Sequence, residues 1–145
     1  MSKEIGPGFF YVKSCILQNY DKSKTTEIYD LISSFSITEG VYQVMVSASM
    51  TLLDTTNLID EFPLQGEESV TFVIEDFYGV EKTYEFQVYS ISAVEQDYSS
   101  KKLLYTLSLY SKDFITTESR EIRRSFTGNI ETSVDEVYRE YFTQT

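Results

Sequence analysis

The chain has 145 residues, of which 41% are apolar, with 12 tyrosines and 10 phenylalanines; this composition is enough for one folded domain and excludes a disordered chain. Its net charge of −11 argues against general affinity for nucleic acid, because such a surface repels phosphate. The absence of histidine excludes Ser-His-Asp triads, Cys-His pairs and His-ligated zinc.

Cysteine usage and the lengths of the apolar runs bear on the compartment. The single cysteine, Cys15, cannot form an internal disulfide, which fits folding in a reducing compartment. No run approaches the roughly 18 apolar residues that a membrane helix needs, so we expect no membrane-spanning segment. The opening stretch MSKEIGPGFF lacks the apolar core of a signal peptide.

The first part of the chain has the alternation of β-strands. Residues 9–19 are partly alternating, and residues 28–37 predict a strand with a bulge because their parity slips. Residues 41–53 predict one long strand, with Tyr42 and Met50 on the same face. A short helix or turn is expected next, with Asp54 and Thr55 as capping residues and Pro63 at its end; its apolar residues are Leu58, Ile59 and Phe62.

Three alternating strands follow. Val70, Phe72 and Ile74 are expected to point inward, as are Tyr84, Phe86 and Val88 after a hairpin turn, and Leu103, Tyr105, Leu107 and Leu109 in the last strand. Turns recur about every ten residues, which is typical of an antiparallel sandwich or barrel. We therefore predict a mainly β, antiparallel barrel-like domain over residues 1–127, with a short internal helix.

The end of the sequence has the period of a helix. Val134, Val137, Tyr138, Tyr141 and Phe142 form one apolar stripe, and Ser133 with Glu136 forms a capping box. A helix of about ten residues is not stable alone, so it must dock on something. We expect residues 128–145 to be a linker and helix that lead to a further domain absent from this sequence.

Several acidic residues could in principle carry chemistry. Asp54, Asp60 and Glu61 lie close together, as a carboxylate-based hydrolase requires, but a helix cap with solvated turn acids explains them more simply. The pairs Glu67 with Glu68 and Glu75 with Asp76 lack the ligand spacing of a calcium loop. We predict no catalytic, cofactor-binding or metal-binding residues.

Aromatic and basic residues give two further candidates. The tyrosines, among them Tyr84, Tyr89, Tyr98, Tyr105 and Tyr110, could form a stacking platform for sugars or bases, although strand propensity also explains them. Arg120, Arg123 and Arg124 lie among acidic residues and lack a phosphate-binding loop. We expect these arginines to pair within the protein or with a neighbouring subunit, and the helix residues Val137, Tyr138 and Tyr141 to join them in subunit contact.

The run LLDTTNLIDEFPLQGEESVTFVIED (52–76) resembles the first domain of the baseplate hub protein of large contractile-tailed phages. In that family a strand ending in Asp leads to a short helix, and a small apolar pair, a Gly and acids open the next strand. The corresponding residues are Leu52, Leu53, Asp54, Leu58, Ile59, Leu64, Gly66, Glu67 and Glu68. The resemblance covers most of the chain, from about residue 30 to 145, although hub proteins of this kind are considerably longer.

The resemblance implies a structural role without catalysis or cofactor. Such hubs form a trimeric ring that adapts the sixfold tail tube to the threefold spike in the virion, after assembly in the host cytoplasm. The implied partners are further copies of the chain, the tail tube protein, a spike or tail-lysozyme protein and other baseplate proteins. DNA only passes through, and an acidic lumen favours this by repelling phosphate. The alternative is a carbohydrate- or receptor-binding β-sandwich that uses the tyrosines.

Overall fold

The computed structural model describes residues 9–43, 45–62, 64–97, 102–119, 121 and 123–141. Its strands are β1 (Phe10–Gln18), β2 (Thr25–Glu27), β3 (Ile32–Thr38), β4 (Ser47–Asp54), β5 (Ser69–Asp76), β6 (Glu81–Asp97) and β7 (Lys102–Ser111). Its helices are α1 (Leu58–Glu61), α2 (Lys112–Ser119) and α3 (Ile130–Tyr141), and a 3₁₀ turn spans Tyr29–Leu31.

All seven strands belong to one antiparallel sheet in the order β2-β1-β5-β6-β7-β4-β3. The sheet curls into a half-barrel, which confirms the predicted mainly β, barrel-like fold. The division of the chain at residue 127 stays a prediction.

Alternation places one side of every strand in the core. Val70 pairs with Phe86 and Phe72 with Tyr84 across β5 and β6, so the inward residues of neighbouring strands form continuous rows. Burial of these rows is the main favourable term in folding. The buried apolar residues are Cys15, Leu17, Ile28, Met50, Leu52, Leu58, Phe62, Val70, Phe72, Phe86, Val88, Tyr105, Leu107 and Leu109.

The curl brings the two ends of the sheet towards each other. Phe35 of β3 contacts Phe72 of β5 with ring centroids 4.7 Å apart, and its ring centroid lies 5.7 Å from that of Phe10 of β1. Bulges in β1, β3 and β6 support the curl, because an extra residue bends and twists its strand. The bulge in β3, between Ile32 and Ser34, was expected from its parity slip.

Four predicted boundaries were wrong. The strand predicted over residues 28–37 begins only at Ile32, because a 3₁₀ turn spans Tyr29–Leu31. The strand predicted from residue 41 begins only at Ser47, because a turn after Gly40 leaves Tyr42 99% exposed. The last strand ends at Ser111 and continues as α2, which we did not predict. The C-terminal helix begins at Ile130, ahead of the predicted capping box.

Candidate functional site

The start of α3 is fixed by Asn129. Its side-chain oxygen accepts hydrogen bonds from the backbone N–H and the hydroxyl of Thr132, at 2.9 and 2.8 Å. This is the N-cap arrangement that satisfies one of the unpaired N–H groups of a first helical turn. Ser133 instead donates its hydroxyl to the Asn129 carbonyl, so the predicted Ser133–Glu136 capping box does not form the helix start.

Arg124 ties the segment before α3 to the helix. Its guanidinium donates to Glu140 at 2.7 Å and to Glu136 at 2.8 Å, two acids that lie one turn apart on α3. The same guanidinium lies over the ring of Phe126, 4.8 Å from its centroid. The planar guanidinium of an arginine can bind two carboxylates and stack on an aromatic ring at the same time, which the ammonium group of a lysine cannot do.

The apolar stripe of α3 is largely exposed. Ile130 is 83% exposed, Val134 60% and Tyr138 56%, whereas Val137 and Tyr141 are half-buried. A groove of about 510 Å³ runs along this face between the helix and Phe126. Three predicted contact residues, Val137, Tyr138 and Tyr141, therefore share one face. Sequence reasoning missed Ile130, although it lies four residues before Val134 and so extends the same period.

The other two arginines are placed differently. Arg123 pairs with Glu121 at 2.8 Å, and both side chains are highly exposed, so this pair is separate from the Arg124 cluster. Arg120 lies outside the described residues. Among the predicted arginines, the structure thus places Arg124 beside the helix stripe and Arg123 in a local surface pair.

The loop from β4 to β5 holds two buried carboxylates. Asp54 is 1% exposed and accepts hydrogen bonds from the backbone N–H groups of Thr56 at 2.9 Å and Ile59 at 3.3 Å, as well as from the Thr56 hydroxyl. The predicted caps Asp54 and Thr55 do not occupy the N-cap position of α1; Asp54 instead accepts from the N–H of Ile59 from four residues before the helix. The residue directly before α1, Asn57, has a left-handed backbone and makes no side-chain cap.

Glu68 closes the other end of the same loop. It is 1% exposed and accepts from the N–H groups of Gln65 at 2.6 Å and Gly66 at 2.9 Å. Gly66 has φ of +95°, a backbone conformation that disfavours other residues. Neither carboxylate is solvated, because the loop folds its own N–H groups around each one.

The remaining acids of the hydrolase hypothesis lie in another environment. Asp60 and Glu61 are exposed on α1, whereas Asp54 is buried with both oxygens bonded. A glycosidase needs two carboxylates that flank a substrate. The described positions do not bring these three acids to one shared cleft.

The acids considered as calcium ligands have other partners. Glu75 and Glu81 both pair with Lys13, and the hydrogen bonds that Lys13 donates to them, the one to Glu75 first, raise the pKa of Lys13. Asp76 closes the β5–β6 hairpin by accepting from the N–H groups of Tyr78 and Val80. Within the described part of the chain, no group of three or more Cys, Asp or Glu side chains could hold a metal ion.

The tyrosines do not form one platform. Tyr105 is fully buried, Tyr84 stacks on Phe86 among the inward residues, and Tyr89 contacts Tyr110 on the opposite face. Tyr98 lies outside the described residues. The Tyr105 hydroxyl is the one buried side-chain polar atom without a hydrogen-bond partner among the residues that the structure describes. Burial, and secondarily the charge of Asp54, raises the pKa of Tyr105.

Comparison with models of known protein families gives no match, and comparison with curated proteins gives none either. Among the described helices, none has the length and apolar character to cross a membrane.

Proposed function

We propose that the chain is a structural protein that assembles with further copies into a ring, the central hub of a contractile phage tail baseplate. The observation that carries this proposal is the exposed apolar stripe of α3, which starts at Ile130 and has its flanking acids bound by Arg124. Its implied partners are the tail tube protein, a spike or tail-lysozyme protein and other baseplate proteins.

An exposed stripe of this size favours contact with another protein surface. Contiguous apolar surface on one helix face is typical of interaction sites. Two copies of a chain with net charge −11 repel each other unless their contact surfaces are locally neutral. Arg124 binds Glu136 and Glu140 on one flank of the stripe, which lowers this repulsion where a neighbouring copy would approach.

The sequence resemblance supports the more specific part of the proposal. The residues that carry it run from Leu52 at the end of β4 through the β4–β5 loop to Glu68, directly before β5. In the structure the carboxylates of Asp54 and Glu68 hold this loop against the end of the curled sheet. A curled antiparallel sheet with free edges is also suited to a ring, because edges can be satisfied by neighbouring subunits.

The experiment is to measure the mass of the purified chain by light scattering and to image it by electron microscopy. We expect closed rings with a central channel, trimeric if the resemblance holds in full. Arg124→Glu should break the rings because it places a third negative charge beside Glu136 and Glu140. Arg123→Glu is the matched control: it makes the same change of charge in an exposed pair that does not touch α3.

A monomer at every concentration, with affinity for glycans on an array, would overturn the proposal in favour of the carbohydrate- or receptor-binding alternative. If rings still form in Arg124→Glu, the proposed ring stands, but Arg124 and the α3 stripe are not part of its interface.

A further inference from the structure

We infer that the peptide bond between Arg123 and Arg124 is a cleavage site for a trypsin-like protease, and that cleavage there releases α3 from the sheet. The site does not depend on the proposed ring. Only the effect of cleavage on assembly rests on the proposed function, because the released helix carries the apolar stripe.

The bond lies in a segment without secondary structure. Residues 123–127 belong to no helix or strand and are all exposed, and no backbone hydrogen bond to another described residue holds them. A protease draws several residues of extended chain into its cleft, so exposed segments of this kind are preferred sites of cleavage.

Most of the other described basic residues are held in regular structure. Strands or helices contain Lys13, Lys82, Lys102, Lys112 and Arg139. Lys22 and Lys24 lie in the turn after β1, where the N–H of Lys22 donates to the carbonyl of Asn19 and the carbonyl of Lys24 accepts from the N–H of Asn19. Among the described basic residues, Arg123 and Arg124 are thus the two in a segment without backbone hydrogen bonds.

Exposure and pairing distinguish the two arginines. The Arg123 side chain is 81% exposed and pairs only with the exposed Glu121, a kind of pair that contributes little to stability. The Arg124 side chain is 36% exposed and binds both Glu136 and Glu140. A trypsin-like protease binds the side chain before the cleaved bond in a pocket of its own, so that side chain must leave its partners. The cut is therefore expected after Arg123 and not after Arg124.

The reaction is hydrolysis and needs only water. The C–N bond between the two residues breaks, and the oxygen of water bonds to the carbonyl carbon of Arg123 to give a carboxylate. The nitrogen of Arg124 leaves as an ammonium group. Because Arg124 stays on the C-terminal fragment, its pairs with Glu136 and Glu140 stay with α3.

Packing does not hold the fragment on the sheet. Within the described residues α2 packs on β6 and β7, whereas α3 has no comparable packing on any strand. The ion pairs described for α3 run to Arg124 or, between Arg139 and Asp135, within the helix. Cleavage after Arg123 is therefore expected to separate the apolar stripe from the sheet, and in the proposed ring it removes the stripe from the subunit contact.

The test is brief digestion of the whole chain with trypsin, with the fragments identified by mass spectrometry. Cleavage after Arg124 should be about tenfold slower than after Arg123, because two ion pairs must open first. Cleavage after Arg139, Lys22 and Lys24 should be slower still. Size-exclusion chromatography of the products should separate the fragment that begins at Arg124 from the sheet.

Two substitutions test the difference between the arginines. Arg124→Gln releases the segment from Glu136 and Glu140, so cleavage after Arg123 should become several-fold faster. Arg139→Gln is the matched control, because it removes an arginine of α3 that lies outside the cleaved segment and should leave this rate unchanged.

Cleavage after Arg124, Lys22 or Lys24 as fast as after Arg123 would overturn the site. A fragment that stays bound to the sheet after the cut would overturn the release of α3. If cleavage and release occur as expected but the rings persist, the site stands and the α3 stripe is not the ring interface. Rings that are lost on cleavage would support both the site and the proposed interface.

Discussion

The β4–β5 loop and the C-terminal segment 121–141 use carboxylates in opposite ways. In the loop, Asp54 and Glu68 are buried and bind backbone N–H groups. In the C-terminal segment, Glu136 and Glu140 remain partly exposed and bind Arg124. Buried charges are costly unless they are hydrogen-bonded, whereas exposed ion pairs contribute little. The loop acids therefore stabilise the fold, and the C-terminal charges are available for contacts with other molecules.

The largest expected effect is that of Asp54→Ala. It removes three hydrogen bonds to a buried carboxylate and leaves two N–H groups without their acceptor, so we expect a loss of about 3 kcal/mol in the free energy of unfolding. Urea unfolding followed by circular dichroism measures it.

Asp54→Asn is the matched control for this prediction. Its amide oxygen can keep the bonds from Thr56 and lose only the bond from Ile59, so the loss should be about half as large. Equal stability of the wild-type, Ala and Asn proteins would show that the Asp54 bonds do not hold the loop.

Glu68→Gln should have the next largest effect. Each oxygen of Glu68 accepts from a separate N–H group. In Glu68→Gln the side-chain NH₂ replaces one of these oxygens and places a donor against one of the two N–H donors. We expect a loss of about 2 kcal/mol in the free energy of unfolding. Glu67→Gln is the control, because Glu67 is exposed and should change stability little. Equal losses in the two variants would contradict the contrast between buried and exposed acids.

Alternation predicted the inward faces of β5 and β7 correctly, because burial with a period of two is a local property of the sequence. The burial of Asp54 and Glu68 was not predictable in the same way. It depends on a left-handed Asn57 and a positive φ at Gly66, which turn the loop back on itself. The alternating pattern of the sequence also extends through Tyr42, but the chain forms a turn there and not a strand.

The helices show the same limit. α2 lacks a clear apolar stripe in KDFITTES, and its place is set by packing on the ends of β6 and β7. For α3 the stripe was visible, but the predicted Ser133–Glu136 box misplaced the helix start, which the bonds of Asn129 fix. The role of Arg124 was expected only as pairing with some acid, since two carboxylates become neighbours only once the helix forms.

Tyr105→Phe is expected to stabilise the protein, whereas the substitutions of the loop acids Asp54 and Glu68 are expected to destabilise it. The Tyr105 hydroxyl is buried without a partner near the charge of Asp54, so its removal should stabilise the protein by about 1 kcal/mol. The tyrosine pKa is raised above its ordinary value of 10.0 in the folded state. Stability from this group is thus complete below pH 10 and lost as the pH rises further, because the unfolded chain releases the proton first.

Urea unfolding of the wild type and of Tyr105→Phe at pH 8 and pH 10.5 checks the direction of this pH dependence. The advantage of Tyr105→Phe over the wild type should grow at the higher pH. Cys15, whose pKa burial raises to about 12, contributes the same alkaline loss in both proteins, so it cancels in the difference. An advantage that shrinks at pH 10.5 would contradict the burial of the Tyr105 hydroxyl.

Arg124→Ala should have the smallest effect on the fold. It removes two partly exposed ion pairs and one aromatic contact, and exposed pairs of this kind contribute about 0.2–1 kcal/mol. We therefore expect urea unfolding of the sheet to change by less than about 0.5 kcal/mol, with any loss of helix confined to α3. The lysine of the Arg124→Lys variant should pair with one acid at a time, so the helix content of this variant should lie between those of the wild type and Arg124→Ala. A loss as large as that of Asp54→Ala would mean that α3 is part of the folded core, and the stripe at Ile130 and Val134 would then no longer be a surface left for a partner.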